Sequence, residues 1–167
     1  MLSNKAVAWM SSRKPDVRKL ALTIFAANSQ LVHAGNQLVA HLGLSSAWWQ
    51  VLTALRGSDA PLTTAGLARK MGLTRQAVQR IVDLLEASGF VTFQPNARHQ
   101  RAKLVALTEA GFAAVGRAEE AVGPIDDVIA QRLGAERIRN AIETLEELND
   151  VIAESLAAEV EKLPRKG

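Results

Sequence analysis

Cysteine and tyrosine are both absent from this chain of 167 residues. Without a thiol there is no disulfide staple, no zinc–thiolate centre and no thiol redox sensor, which fits a reducing compartment. Histidine is scarce: there are three, at 33, 41 and 99. His33 and His41 are eight residues apart on one helical pattern, about 12 Å, too far to share a metal. His99 has no potential ligands clustered near it in the sequence. No nucleophile–base pair, carboxylate pair or metal set stands out, so an enzyme is not expected and no cofactor is called for. No apolar run approaches the roughly 20 residues of a membrane span. The N-terminus has no apolar stretch with a small-residue cleavage site, so neither export nor membrane insertion is expected and the cytoplasm is the inferred location.

What is present is a hydrophobic content of 48%, ample for a core. The length suits one domain, or one small domain with a dimerisation extension. The formal net charge is only +3, but its distribution is uneven. Residues 1–62 carry +4, residues 63–103 carry +5, residues 104–163 carry −8 and the last four carry +2. A polyanion would be drawn to the middle segment and repelled by the later one.

The middle segment centres on residues 64–89, TAGLARKMGLTRQAVQRIVDLLEASG. Leu67 and Ala68 are core-facing in a first short helix that Met71 closes. Gly72 suits the left-handed position that ends many helices, because it has no Cβ to clash. Leu73 is expected to plug the turn, and Thr74 to cap the second helix. At 100° per residue, Ala77, Val78, Ile81, Val82, Leu84 and Leu85 share one arc of that helix. Arg75, Gln76, Gln79, Arg80, Asp83 and Glu86 share the other. Arg pairs bidentately with guanine and Gln with adenine, and both hold phosphate. Glu86 is expected near the helix end that lies away from the DNA backbone.

Around this pair the chain reads as follows. Residues 1–12 hold a short apolar set, Leu2, Val7, Trp9 and Met10. From Asp16 to about Leu42 the apolar positions have helical spacing, with Gly35 the one strong interior weakener and Asn28 on the seam between Ile24 and Val32. That helix is roughly 40 Å long, more than a small domain spans, so part of it should meet another chain. Gly43 ends it, Leu44 is a plug, and Ser45 or Ser46 caps a helix over 47–56 with Trp48, Val51, Leu52 and Leu55 inward. Trp48 and Trp49 point 100° apart, so only one can be fully buried there. Thr63 or Thr64 caps the first helix of the central pair.

After Gly89 the period shortens. Residues 90–93 and 103–107 are strand-like, and the turn between them, QPNARHQRA, is basic through Arg98, His99 and Arg101, with Lys103 directly after it. A hairpin with a cationic tip beside a helix–turn–helix is a winged helix, and the tip can reach phosphates or a minor groove. Thr108 caps a long helical stretch that Gly111 and Gly116 weaken and that Gly123-Pro124 should bend or divide. Gly134 breaks it. The last helix, about Ala135 to Leu163, carries Ile138, Ile142, Leu145, Leu148, Ile152, Leu156 and Val160 at spacings of three and four, a narrow seam that needs a partner.

The fold class is therefore mainly α with a small β-hairpin wing, a winged helix–turn–helix flanked by N- and C-terminal dimerisation helices. The expected division is 1–44, 45–108 and 109–167. LGLSSAWWQVLTAL (42–55), LTTAGLARKMGLTRQAVQRIVDLLEASGFV (62–91) and NARHQRAKLVALTEAG (96–111) resemble the MarR family of bacterial transcription regulators. The most specific stretch is the last, a basic turn followed by K-L-V-x-L-T-x-x-G. The usual wing-tip Asp is replaced by Asn96-Ala97. The resemblance implies an obligate homodimer on a pseudo-palindromic operator, usually a repressor, with recognition helices in successive major grooves roughly 34–36 Å apart. It also implies release by a small aromatic or phenolic effector, and a nucleoid-associated place of work. Carried onto this chain, Arg75, Gln76, Gln79 and Arg80 fall on the recognition helix and Arg98, Arg101 and Lys103 on the wing. Thr63, Thr64 and Thr74 fall at helix starts that can hold phosphate. Asn28, His33, Trp48 and Trp49 border the effector pocket. The alternative reading is a winged-helix adaptor that binds protein and has no ligand response.

Overall fold

The computed structural model describes residues 14–97 and 101–161. Its elements are α1 (Lys14–Val39), a 3₁₀ turn (Ala40–Leu42), α2 (Ser46–Arg56), β1 (Leu62–Thr63), α3 (Thr64–Met71), α4 (Arg75–Ala87), β2 (Val91–Gln94), β3 (Leu104–Leu107), α5 (Glu109–Leu133) and α6 (Ala135–Glu161). The expectation of a mainly helical fold with a hairpin wing is met. The apolar set at residues 1–12, the wing-tip Arg98 and His99, and the end of the last helix at Leu163 lie outside the described residues.

Each boundary has a local cause. Gly43 takes φ 71° and closes the 3₁₀ turn with its N–H on Ala40 O, and Leu44 is buried behind it. Of the two candidate caps for α2, Ser45 acts, accepting the Trp48 N–H at 3.2 Å. Ser46 has a different task. It is 2% exposed, its N–H donates to Asn36 Oδ1 at 2.8 Å, and its hydroxyl would lie only 2.9 Å from a Cβ on Gly35. Gly35 thus weakens α1 as a helix but lets α2 approach it closely. Thr63 rather than Thr64 caps α3, accepting the Gly66 N–H at 3.1 Å.

The sheet has three antiparallel strands in the order β1-β3-β2. Val91 pairs with Leu107 and Gln94 with Leu104, while Leu62 and Thr63 pair with Val105 and Leu104. The two-residue β1 was not expected. Two residues carry no periodicity, and only the pairing with β3 makes them a strand.

The chain forms two compact units, one ending at Val122 and the other beginning at Gly123. In the first, Val51, Leu52, Leu67, Val78, Val82, Leu85, Val105 and Val115 are fully buried. Burying a Leu or Val of this kind contributes about 1.5–3 kcal/mol. The start of α5 joins this core through Ala114, Val115, Ala118 and Val122. Here Gly111 has its reason: a Cβ would run into the Phe90 carbonyl oxygen. Thr108 fastens the same point. Its hydroxyl accepts the Gly111 N–H at 3.0 Å and donates to Gly89 O at 2.6 Å.

The second unit is the remainder of α5, a turn at Gly134 with φ 78°, and α6. Pro124 does not divide α5, which runs unbroken from Glu109 to Leu133. The proline is exposed, so the backbone carbonyl that its missing N–H leaves free can be met by water. Arg137 closes the turn, donating from Nε to Leu133 O at 2.6 Å and from Nη2 to Arg132 O at 2.7 Å. Among the described residues of this unit none is buried. Ile125, Val128, Leu133, Ile142, Leu145, Ile152 and Leu156 are all exposed. Among the described residues no single helix is long and apolar enough to cross a membrane.

Candidate nucleic-acid interface

The central pair is built as its residues dictate. Leu67 and Ala68 anchor α3 in the core. Gly72 takes φ 63°, and its N–H returns to the end of α3. The Leu73 N–H also turns back, to Ala68 O at 2.9 Å. Its side chain does less than expected: Leu73 is 43% exposed, so the backbone rather than the leucine closes the turn. Thr74 caps α4 by accepting the Ala77 N–H at 3.2 Å.

Helix α4 splits into two faces, with one correction. Val78, Val82 and Leu85 are fully buried, whereas Leu84 is 54% exposed. An arc wide enough to include Leu84 exceeds what α4 can bury against the first unit. Arg75, Gln76, Arg80, Asp83 and Glu86 are exposed and Gln79 is half-buried. The Gln79 side chain is not idle, since Nε2 donates to Asp83 Oδ1 at 2.6 Å.

A cleft of about 560 Å³ runs between the start of α3, helix α4 and the wing. It brings together six of the residues selected from the sequence: Thr63, Thr64, Arg75, Gln79, Arg101 and Lys103. Lys103 stands over the Phe93 ring, its Nζ 5.8 Å from the centroid, a cation–π contact that orders a wing cation. Thr63 spends its hydroxyl on the Gly66 N–H. Thr64 is only 7% exposed, so its hydroxyl has little surface to offer an anion. Thr74, Gln76 and Arg80 are exposed on the outer side of α4 and do not line the cleft.

Four lining residues were not selected from the sequence, Ala65, Ala102, Phe93 and Glu86, of which the last two bear on the cleft's chemistry. Phe93 pairs with Val105 in the sheet. Glu86 was expected away from the backbone contacts, yet it lines the same cleft as Arg75. The signal was available: Arg75, Gln79 and Glu86 fall within 40° of one another at 100° per residue. The cleft therefore has an anionic far end, about 16 Å along the helix from Arg75.

The four residues expected around an effector take separate positions. Asn28 and His33 are exposed on α1. Trp48 meets Phe90 edge-on, with centroids 6.3 Å apart and planes at 71°. Trp49 lines a cavity of about 340 Å³ with Gln50, Thr53, Ala54 and Met71. Neither indole is fully buried. Trp49 Nε1 and Thr53 Oγ1, one turn apart, are buried without a hydrogen-bond partner. Among the described residues no three His, Asp or Glu side chains group as a metal site.

A capped helix–turn–helix set against a three-stranded wing, with cations on both, defines a winged helix–turn–helix. Residues 42–102 match the model of the MarR family. Over 96 residues the chain is 33% identical to the uncharacterized protein Rv2011c of Mycobacterium tuberculosis, covering 58% of this chain and 66% of that one. Over 95 residues it is 27% identical to the transcriptional activatory protein BadR of Rhodopseudomonas palustris, covering 56% and 54%. The matched stretch thus spans just under two thirds of the first relative and about half of the second. The fold is that of a mutant MarR from E. coli complexed with operator DNA, with a TM-score of 0.69, 24% identity, and coverage of 83% of this chain and 99% of that one. The family-model match and the shared fold agree with the resemblance to MarR-family winged-helix regulators read from residues 42–111.

Proposed function

We propose that this chain is a sequence-specific DNA-binding regulator that acts as a homodimer on a pseudo-palindromic operator. The observation that carries the reading is the shared cleft: Arg75 and Gln79 on α4 open onto the same space as Arg101 and Lys103 on the wing. The helix offers groups that read base edges and the wing offers cations for the backbone. Thr74, Gln76 and the cation Arg80 extend the polar face on the outer side of α4, and Arg98 belongs to the wing by sequence.

The homodimer is supported by the apolar residues that α1 and the second unit leave exposed. Phe25 is 69% exposed, Leu31 64% and Leu156 60%. Exposed apolar side chains of that size, on each unit taken by itself, favour an association surface. A dimer seated across an operator excludes other proteins from that DNA, which favours repression, although one relative bears the name of an activator. DNA as partner also implies work in the cytoplasm at the nucleoid. The effector reading, a small aromatic or phenolic molecule near Asn28, His33, Trp48 and Trp49, is supported by the half-buried indoles. So is the proposed division into dimerisation, DNA-binding and dimerisation segments at 1–44, 45–108 and 109–167, by the distribution of charge.

The test is selection of genomic DNA fragments by the full-length chain, with and without aromatic acids, alongside sedimentation of the free protein. Recovery of a palindromic fragment by a dimer is the expected result. A monomer at micromolar concentration, or equal retention of all fragments, overturns it. A winged-helix adaptor would show the second outcome, and it would have no use for four arginines spread over helix and wing. A reporter driven by the recovered fragment decides between repression and activation.

A further inference from the structure

Gln79 and Asp83 stand one turn apart on α4, joined by the 2.6 Å bond from Gln79 Nε2 to Asp83 Oδ1. An ionised carboxylate only accepts hydrogen bonds. The amide nitrogen of Gln79 must therefore face residue 83, which leaves its carbonyl oxygen and one N–H uncommitted. At a surface that water reaches such a bond is weak, but it strengthens where a DNA groove excludes water.

We propose that Asp83 is a positioning residue that sets Gln79 to read adenine and to reject guanine. The proposal rests on the reading of α4 as the recognition helix. In the major groove adenine shows a donor, its N6 amine, beside an acceptor, N7. The acceptor and donor left free on Gln79 match that pair. Guanine shows two acceptors, O6 and N7. A freely turning glutamine can meet them by swinging its NH₂ group to the base. Asp83 opposes that swing, because it would bring the amide oxygen against the carboxylate. The charge of Asp83 also disfavours two guanine acceptors nearby.

The experiment is selection from a randomised duplex library by the full-length chain and by variants at these two positions, scored base by base. Wild type is expected to prefer adenine over guanine at one position of each half-site, and Gln79→Ala to lose that preference. Asp83→Ala should reduce it about fivefold or more, the lower end of what a bidentate pair discriminates, with other positions unchanged. Asp83→Glu, which keeps a carboxylate, should restore it. In the Gln79→Ala background Asp83→Ala should change nothing further. An adenine preference that survives Asp83→Ala overturns the proposal, and so does an equal effect of Asp83→Ala with and without Gln79. Wild type that selects no sequence at all defeats the DNA reading itself and this proposal with it, a result distinct from selectivity that persists without Asp83.

Discussion

Replacing Gly111 by alanine should destabilise the protein although it improves the helix. In a helix interior the exchange is worth up to about 1 kcal/mol in favour of alanine. Gly111, however, lies where the start of α5 meets the Phe90 carbonyl, and a Cβ there would also come within 3.2 Å of a Leu107 methyl. A backbone carbonyl cannot rotate aside as a side chain can. The Phe90 carbonyl also accepts the Thr108 N–H at 3.1 Å, so moving α5 away strains that bond and the Thr108 cap together. Overpacking costs about 1–3 kcal/mol, the cap about 1 and the hydrogen bond about 1. After the helix gain, about 2–4 kcal/mol of stability is lost. For a chain of this length that is on the order of 5–15 °C in Tm.

Gly116, five residues along the same helix, is the control. Nothing lies within 4 Å of its would-be Cβ, so Gly116→Ala should raise stability by about 0.5–1 kcal/mol. Urea and thermal unfolding followed by circular dichroism, at matched protein concentration, measure both. Opposite signs are expected. If Gly111→Ala is neutral or stabilising, the pinch between α5 and the wing is not what holds a glycine there.

Arg101→Ala should weaken binding to every DNA sequence and lower the salt slope of log K by about one unit; an unchanged slope removes Arg101 from the phosphate contacts. Arg75→Ala should cost about 1–3 kcal/mol on the operator and relax one base preference, whereas equal losses on operator and random DNA would assign it to the backbone. Glu86→Gln should strengthen binding to all sequences, most at low salt, because it removes a negative charge from the cleft; quantitative gel shifts at two salt concentrations would expose an error if affinity fell. Glu119→Ala breaks the 2.7 Å pair with Arg56, but both partners are over 40% exposed, so unfolding in urea should register less than about 1 kcal/mol.

Much of this protein is written in short-range chemistry. The caps at Ser45, Thr74 and Thr108, the left-handed glycines 43, 72 and 134, and the apolar spacings of α1, α4 and α6 depend on residues no more than a turn apart. So does the basic character of the wing, and with it the expectation of a polyanionic partner. What the sequence withheld depends on which elements meet. Leu84 has the same chemistry as Leu85, and only the width of the surface that α4 packs against leaves one exposed and the other buried. Leu62 and Thr63 become a strand because β3 lies beside them. Gly111 reads as a weak point of a helix until Phe90 is placed against it, and Gly35 until Ser46 is. Helical spacing already puts Glu86 on the same side of α4 as Arg75, but Arg101 came to share their cleft only when the wing folded against α4. Local rules decide what each segment becomes, while close approach between segments far apart in the chain decides which side chains share a space.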